Sequence, residues 1–450
     1  MSLASSAGMV RAPSLRSVRA PSARSLVLAV LLVAAPLGGA LFARASAPSR
    51  ARAGALPRTA SPHLATASPH LAAASPRLAA AAPLLAAAPA APQTLTLQAG
   101  GDYLLHTRVQ DSASFHGGYA YLTQKLAPLL ARGDVNLFNL ETPLATQRND
   151  MSASPPVLNG PAEAAAALRA CGFQAAMLAN NHAYDQTARG VTETRAALEA
   201  ASILAVGGGR SAEEAHAAQT IVTASGVRVA LLAFTETINA TTLVGRLGPD
   251  DPQVALWRGE ADLALVREAA ATHDAVVVAM HWGTELSATP TRFQQEIGRA
   301  LCAAGANVVA GSHPHVLQPV VRNGDCVVAY SLGNLVSNQG LKYKRGGLEP
   351  VEAGSSEARG DTRDGALLRV VLTRGDDQRM HVTSVGAVPL FTNNNWLERF
   401  GDPAFQNDIF VAPLAALLSD DTRTRNHALF AERMESVSLA LGAGAPLVDQ

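Results

Sequence analysis

The chain has 450 residues with 36 basic and 36 acidic side chains, a formal net charge of zero; that length admits two or three average domains, or one large layered α/β unit with appendages. The neutrality is a cancellation: residues 1–93 hold nine arginines and no Lys, Asp or Glu, leaving 27 basic against 36 acidic residues over 94–450, a formal charge of −9. An acidic body behind a basic leader argues against a nucleic-acid partner and for a segment that stays cytoplasmic while the rest crosses a membrane.

The elements follow in chain order. Residues 1–24 form a basic cytoplasmic leader, and the 19 uncharged residues Ser25 to Ala43 open a signal peptide or membrane anchor over 25–47. Pro36 and Gly38-Gly39 weaken a long anchor and favour cleavage near Ala45 or Ala47. Either way the body is expected to be extracytoplasmic, secreted or anchored through this segment. Residues 48–93 are an Ala/Pro-rich linker with a seven-residue repeat, Ser61-Pro-His-Leu64, Ser68-Pro-His-Leu71, Ser75-Pro-Arg-Leu78. A proline in every repeat excludes a coiled coil and predicts an extended spacer.

From Thr94 short apolar runs alternate with Ala/Leu-rich helical patterns. The pattern predicts strands at 94–101, 135–140, 174–179, 203–206, 219–224, 227–235, 274–280, 306–311, 326–331, 366–373 and 380–388. Helices are predicted at 118–132, 161–171, 187–201, 211–217, 258–272 and 291–304. A sheet core covered by helices follows, with reactive groups collecting at strand C-terminal ends. Residues 341–365 read as a mobile loop near a pocket mouth. Residues 391–450 read as a helical extension, with helices near 403–418 and 425–440, packed on the 94–390 body. The three cysteines read as buried thiols, although one disulfide is compatible with an exported chain.

Five predicted strand ends carry ligand-type residues: Gly101-Asp102, Asn139-Leu140-Glu141, Asn180-Asn181-His182 with Asp185, His281-Trp282-Gly283, and Gly311-Ser312-His313-Pro314-His315. Singly, each has a structural reading as a turn former, a cap or a satisfied core histidine. Collected at one sheet edge, their carboxylate and amide oxygens and imidazoles suit divalent cations. An extended His313-Pro314-His315 would present both imidazoles on one side, because strand side chains alternate.

These motifs, with Tyr330-Ser331-Leu332-Gly333-Asn334, resemble the calcineurin-like metallophosphoesterase superfamily and, within it, the CapA-like proteins of capsule and poly-γ-glutamate biosynthesis. The resemblance implies an α/β fold, a four-layer α/β/β/α metallophosphoesterase-like sandwich. It implies a two-cation site of manganese, zinc or iron, with Asp102, Glu141, Asn181, His281, His313 and His315 as ligands and Glu141 in the bridging place. It places His182 beside the metals as the residue that assists the leaving group. Asn139, Asn180, Asp185 and His106 are additional candidates; His106 would stand in for the histidine missing after Asp102. Asn139-Leu140-Glu141 replaces the superfamily's usual bridging aspartate motif, and Ala183 follows His182 where hydrolytic relatives carry an acid.

The functions implied are extracellular anionic-polymer biosynthesis alongside a membrane-bound synthase or exporter, a secreted phosphoesterase, or an envelope tether with a structural metal. Substrates would be an anionic polymer or a phosphoester. No Walker loop is present: Gly207-Gly208-Gly209-Arg210 is a glycine turn before a helix capped by Ser211.

Overall fold

The computed structural model describes residues 93–145, 157–343, 357, 359–399 and 402–448. The predicted leader, anchor and linker over 1–92 lie outside the described residues, as does most of the 341–365 loop.

Two sheets stack face to face. In the first, Thr94–Tyr103 lies centrally, with Val135–Leu140, Ala175–Met177 and Leu204–Val206 following in parallel on one side. Asp364–Arg374, Met380–Asn394 and Ile409–Pro413 continue antiparallel on the other. The second sheet runs Leu317–Asn323, Cys326–Leu332, Val308–Ser312, Ala275–His281, Arg228–Thr235, Gln219–Val222.

Alternation explains the layers. Val229, Leu231 and Ala233 face the first sheet and pack with its Leu95, Leu97 and Ala99. Ala230, Leu232 and Phe234, one residue out of phase, face Val266, Ala269 and Leu301 of the helices Glu260–Thr272 and Arg292–Ala303. Burial on both faces is why these strands read as unbroken apolar runs. The first sheet buries its outer face under Leu122, Leu126, Ala164 and Leu168. The order helix, sheet, sheet, helix is the four-layer sandwich.

The parallel strands are linked by helices: Glu163–Cys171 and Thr187–Ala200 in the first half, Glu260–Thr272 and Arg292–Ala303 in the second. All these strands therefore point their C-terminal ends at one edge. Gly101 lets that edge close, since a Cβ there would lie 2.0 Å from the Gly333 carbonyl oxygen, and the Asp102 amide donates to that same oxygen at 3.0 Å.

The predicted helix 118–132 is three short turns, Ala120–Thr123, Gln124–Leu126 and Ala127–Leu130, because Pro128 restarts the chain at the head of the last. A further helix, Thr107–Phe115, was hidden by its polar sequence. The predicted helix 403–418 is corrected: Ile409–Pro413 is a strand on the edge of the first sheet, and only Leu414–Leu418 is helical. Pairing to Met380–Asn394 decides this, and no local pattern encodes it.

The reading of all three cysteines as buried thiols is also corrected. Cys302, at the end of one helix, is bonded to Cys326, which opens a strand 24 residues later, with Cα atoms 5.5 Å apart. Cys171 is free and buried. A bridge closing a loop of that length stabilises by about 3 kcal/mol in the chain-entropy picture. Cys302→Ala/Cys326→Ala is therefore expected to melt several degrees lower than the parent, and reductant should lower the parent's melting temperature but not the variant's.

Candidate metal centre

Strand register builds the site. Asp102 pairs in register with Asn139 on one side and Asn334 on the other. In the second sheet Ser312 is level with His281, and His281 with Thr235.

Asp102 is fully buried; its Oδ1 accepts from Asn139 Nδ2 at 2.8 Å and its Oδ2 from the His313 amide at 3.2 Å. Oδ2 also lies 3.1 Å from His315 Nδ1, which in turn faces Asn334 Oδ1 at 3.1 Å. His281 Nε2 sits 2.9 Å from Asn181 Oδ1, and its Nδ1 is 2.9 Å from Ser312 Oγ. Glu141 Oε1 lies 3.6 Å from His281 Nε2 and 3.7 Å from His315 Nε2. Those separations are too long for hydrogen bonds.

The two ligand groups that could hold a metal ion are Glu141–His281–His313 and Asp102–Glu141–His315, each with donor atoms within 4.8 Å of one another and all buried. Glu141 belongs to both. Among the described residues, neither Glu141 oxygen, nor His313 Nδ1, nor Asn180 Oδ1, has a hydrogen-bond partner. A fully buried carboxylate without a donor costs several kcal/mol. Cations between these atoms would remove that cost, so the residues present fit divalent metal, and the oxygen and imidazole mixture suits zinc, manganese or iron.

Burial pushes the Glu141 carboxyl well above its usual range; the neighbouring Asp102 and Glu285 add to this and His315 opposes it. Burial and then His315 push His313 down to about 4, and burial with the surrounding histidines takes His281 well below its ordinary value. Both rings are thus neutral, with lone pairs to offer. Burial alone would lower His315 as well, but Glu141 and Asp102 outweigh it and raise it to about 10. Without metal the cluster retains a proton on His315 that a cation must displace. Metal affinity is therefore expected to rise about tenfold per pH unit for each proton released, near neutral pH. The raised folded-state value for His315 means that its contribution to stability is full below about 6.5 and lost as pH climbs through about 10. Melting of the chelated chain should accordingly fall over that window, and the metal-loaded chain should not follow it.

The His313-Pro314-His315 segment is not extended, which corrects the reason given for its geometry. His313 has φ +95° and His315 φ +57°, both in the left-handed region and costing on the order of 1–3 kcal/mol each. The turn is held by the His313 amide on Asp102 and by the Leu286 amide on the Pro314 carbonyl at 2.8 Å. It brings the His313 ring centroid 4.7 Å from His281 and 6.2 Å from His315.

The other candidates surround this cluster. His182 Nδ1 is 2.7 Å from Asp185 Oδ2, which also accepts the Leu158 amide at 2.6 Å. His182 lies within electrostatic reach of His281 and His313. Asn180 Nδ2 donates to the Leu140 carbonyl at 2.8 Å and approaches Asn139 Oδ1 at 3.4 Å, so both asparagines brace the strand ends. His106 is buried at the head of Thr107–Phe115, its Nδ1 accepting the Asn338 amide at 3.2 Å. Burial, with His315 and His182 nearby, lowers it to about 3. It stands next to the cluster and in neither ligand group.

Sequence reasoning missed two participants. Glu285 is exposed and acts electrostatically on Glu141, His313 and His315; its place two residues beyond His281-Trp282-Gly283 was the available signal. Asn334, noted only within a motif, orients His315 through Oδ1 and donates from Nδ2 to the carbonyl of Thr362 at 2.8 Å. Arg210, after the glycine turn, is exposed and pairs with Glu214 at 2.8 Å.

A two-sheet sandwich with buried carboxylates and imidazoles gathered at one strand-end edge defines a layered α/β protein with a candidate metal centre. The chain belongs to the bacterial capsule synthesis protein PGA_cap family, whose profile matches residues 96–339. It is 29% identical over 290 residues to the PGA biosynthesis protein CapA of Bacillus subtilis, covering 63% of this chain and 70% of that protein. It is 31% identical over 266 residues to the capsule biosynthesis protein CapA of Bacillus anthracis, covering 55% of this chain and 61% of that protein. The NAD nucleotidase NadN of Haemophilus influenzae aligns at 11% identity and a TM-score of 0.39 over 80% of this chain and 65% of its own, a likeness too loose to carry an argument about activity.

Proposed function

We propose that this protein acts outside the cytoplasm in the biosynthesis of a capsule or poly-γ-glutamate-type anionic polymer, using a two-cation site as a metal-dependent hydrolase. The observation that carries the reading is the pair of ligand groups sharing Glu141, whose carboxylate oxygens have no other partner. Family membership and the two CapA relatives support the polymer assignment. The Cys302–Cys326 bridge supports an oxidising compartment, and hence export through the 25–47 segment, either cleaved or kept as an anchor. A membrane-bound synthase or exporter is the expected partner.

Bound divalent cations would lower the pKa of a water and polarise the oxygen of the scissile group. The chain's residues do the rest. Asp102, Glu141, His281, His313 and His315 hold the donor atoms in a buried cluster that excludes bulk water. Ser312 orients His281 through Nδ1, Asn181 sets its Oδ1 beside the His281 Nε2 as a further oxygen donor to the cations, and Asn139 orients Asp102. Asp185 fixes His182 through Nδ1, leaving Nε2 to hold the proton delivered to the leaving group.

The test is chain-length analysis of poly-γ-glutamate incubated with the manganese- or zinc-loaded full-length chain. His182→Ala should slow cleavage by about 10²- to 10⁴-fold while metal content is unchanged. Cleavage indifferent to chelator and to His182 would sink the proposal. The His182–Asp185 pair also favours a second reading, a secreted phosphoesterase. Metal-dependent hydrolysis of an aryl phosphate with the polymer left intact would select it. Tight metal binding with neither substrate consumed would leave the envelope tether.

A further inference from the structure

Arg363 is the feature that the metal site does not use. It is only 5% exposed, and among the described residues no carboxylate is hydrogen-bonded to it. Nε donates to the Thr392 carbonyl at 2.9 Å, the guanidinium lies 4.4 Å above the Phe391 ring, and its two terminal nitrogens meet no acceptor among the described residues. The nearby ionic groups are already matched. Asp364 is forked by Arg433, through Nε at 3.1 Å and Nη2 at 2.6 Å, and Glu398 is engaged by Arg425 at 2.6 Å. Arg363 therefore shares the field of Asp364 and Glu398 without a hydrogen bond to either.

The guanidinium opens on a cavity of 310 Å³ lined by Tyr343, Asn393, Asn394, Leu397, Arg425 and Phe430. One wall carries Arg363 and amides, the rim holds the paired Arg425 and Glu398, the other wall is apolar, and the volume suits a group of a few heavy atoms. The cavity is also joined to the metal centre by two short paths. Thr362, adjacent to Arg363, accepts from Asn334, which orients His315. Asn394 donates to Asn338 Oδ1 at 3.1 Å, and the Asn338 amide donates to His106.

We propose that this cavity is a carboxylate subsite in which the Arg363 terminal nitrogens fork a carboxylate, Arg425 keeps the rim's Glu398 neutralised, and a methylene stem lies on Leu397 and Phe430. A guanidinium with two coplanar N–H groups free matches a carboxylate in geometry, and burial strengthens the contact. Only the identity of the carboxylate's carrier rests on the polymer reading above. In that reading the subsite holds one glutamyl side chain while another part of the polymer reaches the cations.

The experiment is calorimetric titration of the metal-loaded full-length chain with glutarate, a γ-linked glutamate pentamer and inorganic phosphate. The parent should bind glutarate, bind the pentamer more tightly, and bind phosphate more weakly. Arg363→Met should weaken both carboxylate ligands by about 10- to 100-fold with metal content unchanged. Arg425→Glu, at the exposed rim, should weaken them as well and serves if Arg363→Met fails to fold. Glutarate affinity unmoved by these substitutions, absent in the parent, or no better than that of phosphate would overturn the subsite. Pentamer binding that depends on metal but not on Arg363 would overturn the subsite and leave the polymer reading standing; Arg363-dependent glutarate binding without pentamer binding would do the reverse.

Discussion

Glu141→Ala is expected to leave the purified full-length chain without bound divalent metal, whereas Asp102→Ala and His313→Ala each retain about half of the parent's content. The asymmetry follows from geometry: Glu141 contributes to both ligand groups, Asp102 to one and His313 to the other. Loss of a group that only orients a ligand costs about 10- to 100-fold in metal affinity, and loss of a shared ligand should exceed that. Elemental mass spectrometry after dialysis reads the result. Metal content in Glu141→Ala equal to the parent's would remove the basis for a two-cation site.

The second large effect lies away from the metals. Arg433, on the helix His427–Leu441, forks Asp364 at the start of a first-sheet strand, and both are buried. Burial pushes Asp364 up to about 7 against the pull of Arg433. For Arg433, contact with Asp364 outweighs its own desolvation and keeps the guanidinium charged. Removing one member of such a pair leaves the other uncompensated, at a cost of about 3–5 kcal/mol. Arg433→Ala should therefore unfold at markedly lower denaturant, while Arg433→Met/Asp364→Leu, which removes both charges, recovers most of the loss. A double variant as unstable as the single one would show that packing, and not the stranded carboxylate, carries the penalty.

The two effects differ in how visible they were beforehand. The ligand chemistry was legible because side-chain type and position at a strand end are both local properties. Asp102, Glu141, His281, His313 and His315 follow apolar runs whose strand character is evident from the residues alone. A sheet core covered by helices was legible for the same reason, in the alternation of apolar runs with helical segments, whereas the two-sheet sandwich was implied only by the family resemblance. Arg363, by contrast, sits in Arg359-Gly-Asp-Thr-Arg363-Asp364, which reads as an ordinary solvated loop. Only the folded chain gives the Asp364 carboxylate to Arg433 and leaves the terminal nitrogens of Arg363 without an acceptor among the described residues.

The sequence by itself determined which residues can bind a cation, which segments are buried on both faces, and that strand ends would carry the chemistry. The tertiary structure decided the rest: that Glu141 is shared, that His313 and His315 converge through a left-handed turn instead of an extended strand, that Cys302 meets Cys326, and that Ile409–Pro413 is a strand. The physical reason is range. Periodicity and residue type act over a few neighbours, whereas these outcomes depend on contacts between segments tens to hundreds of residues apart, whose energies exist only once the two sheets have closed on each other.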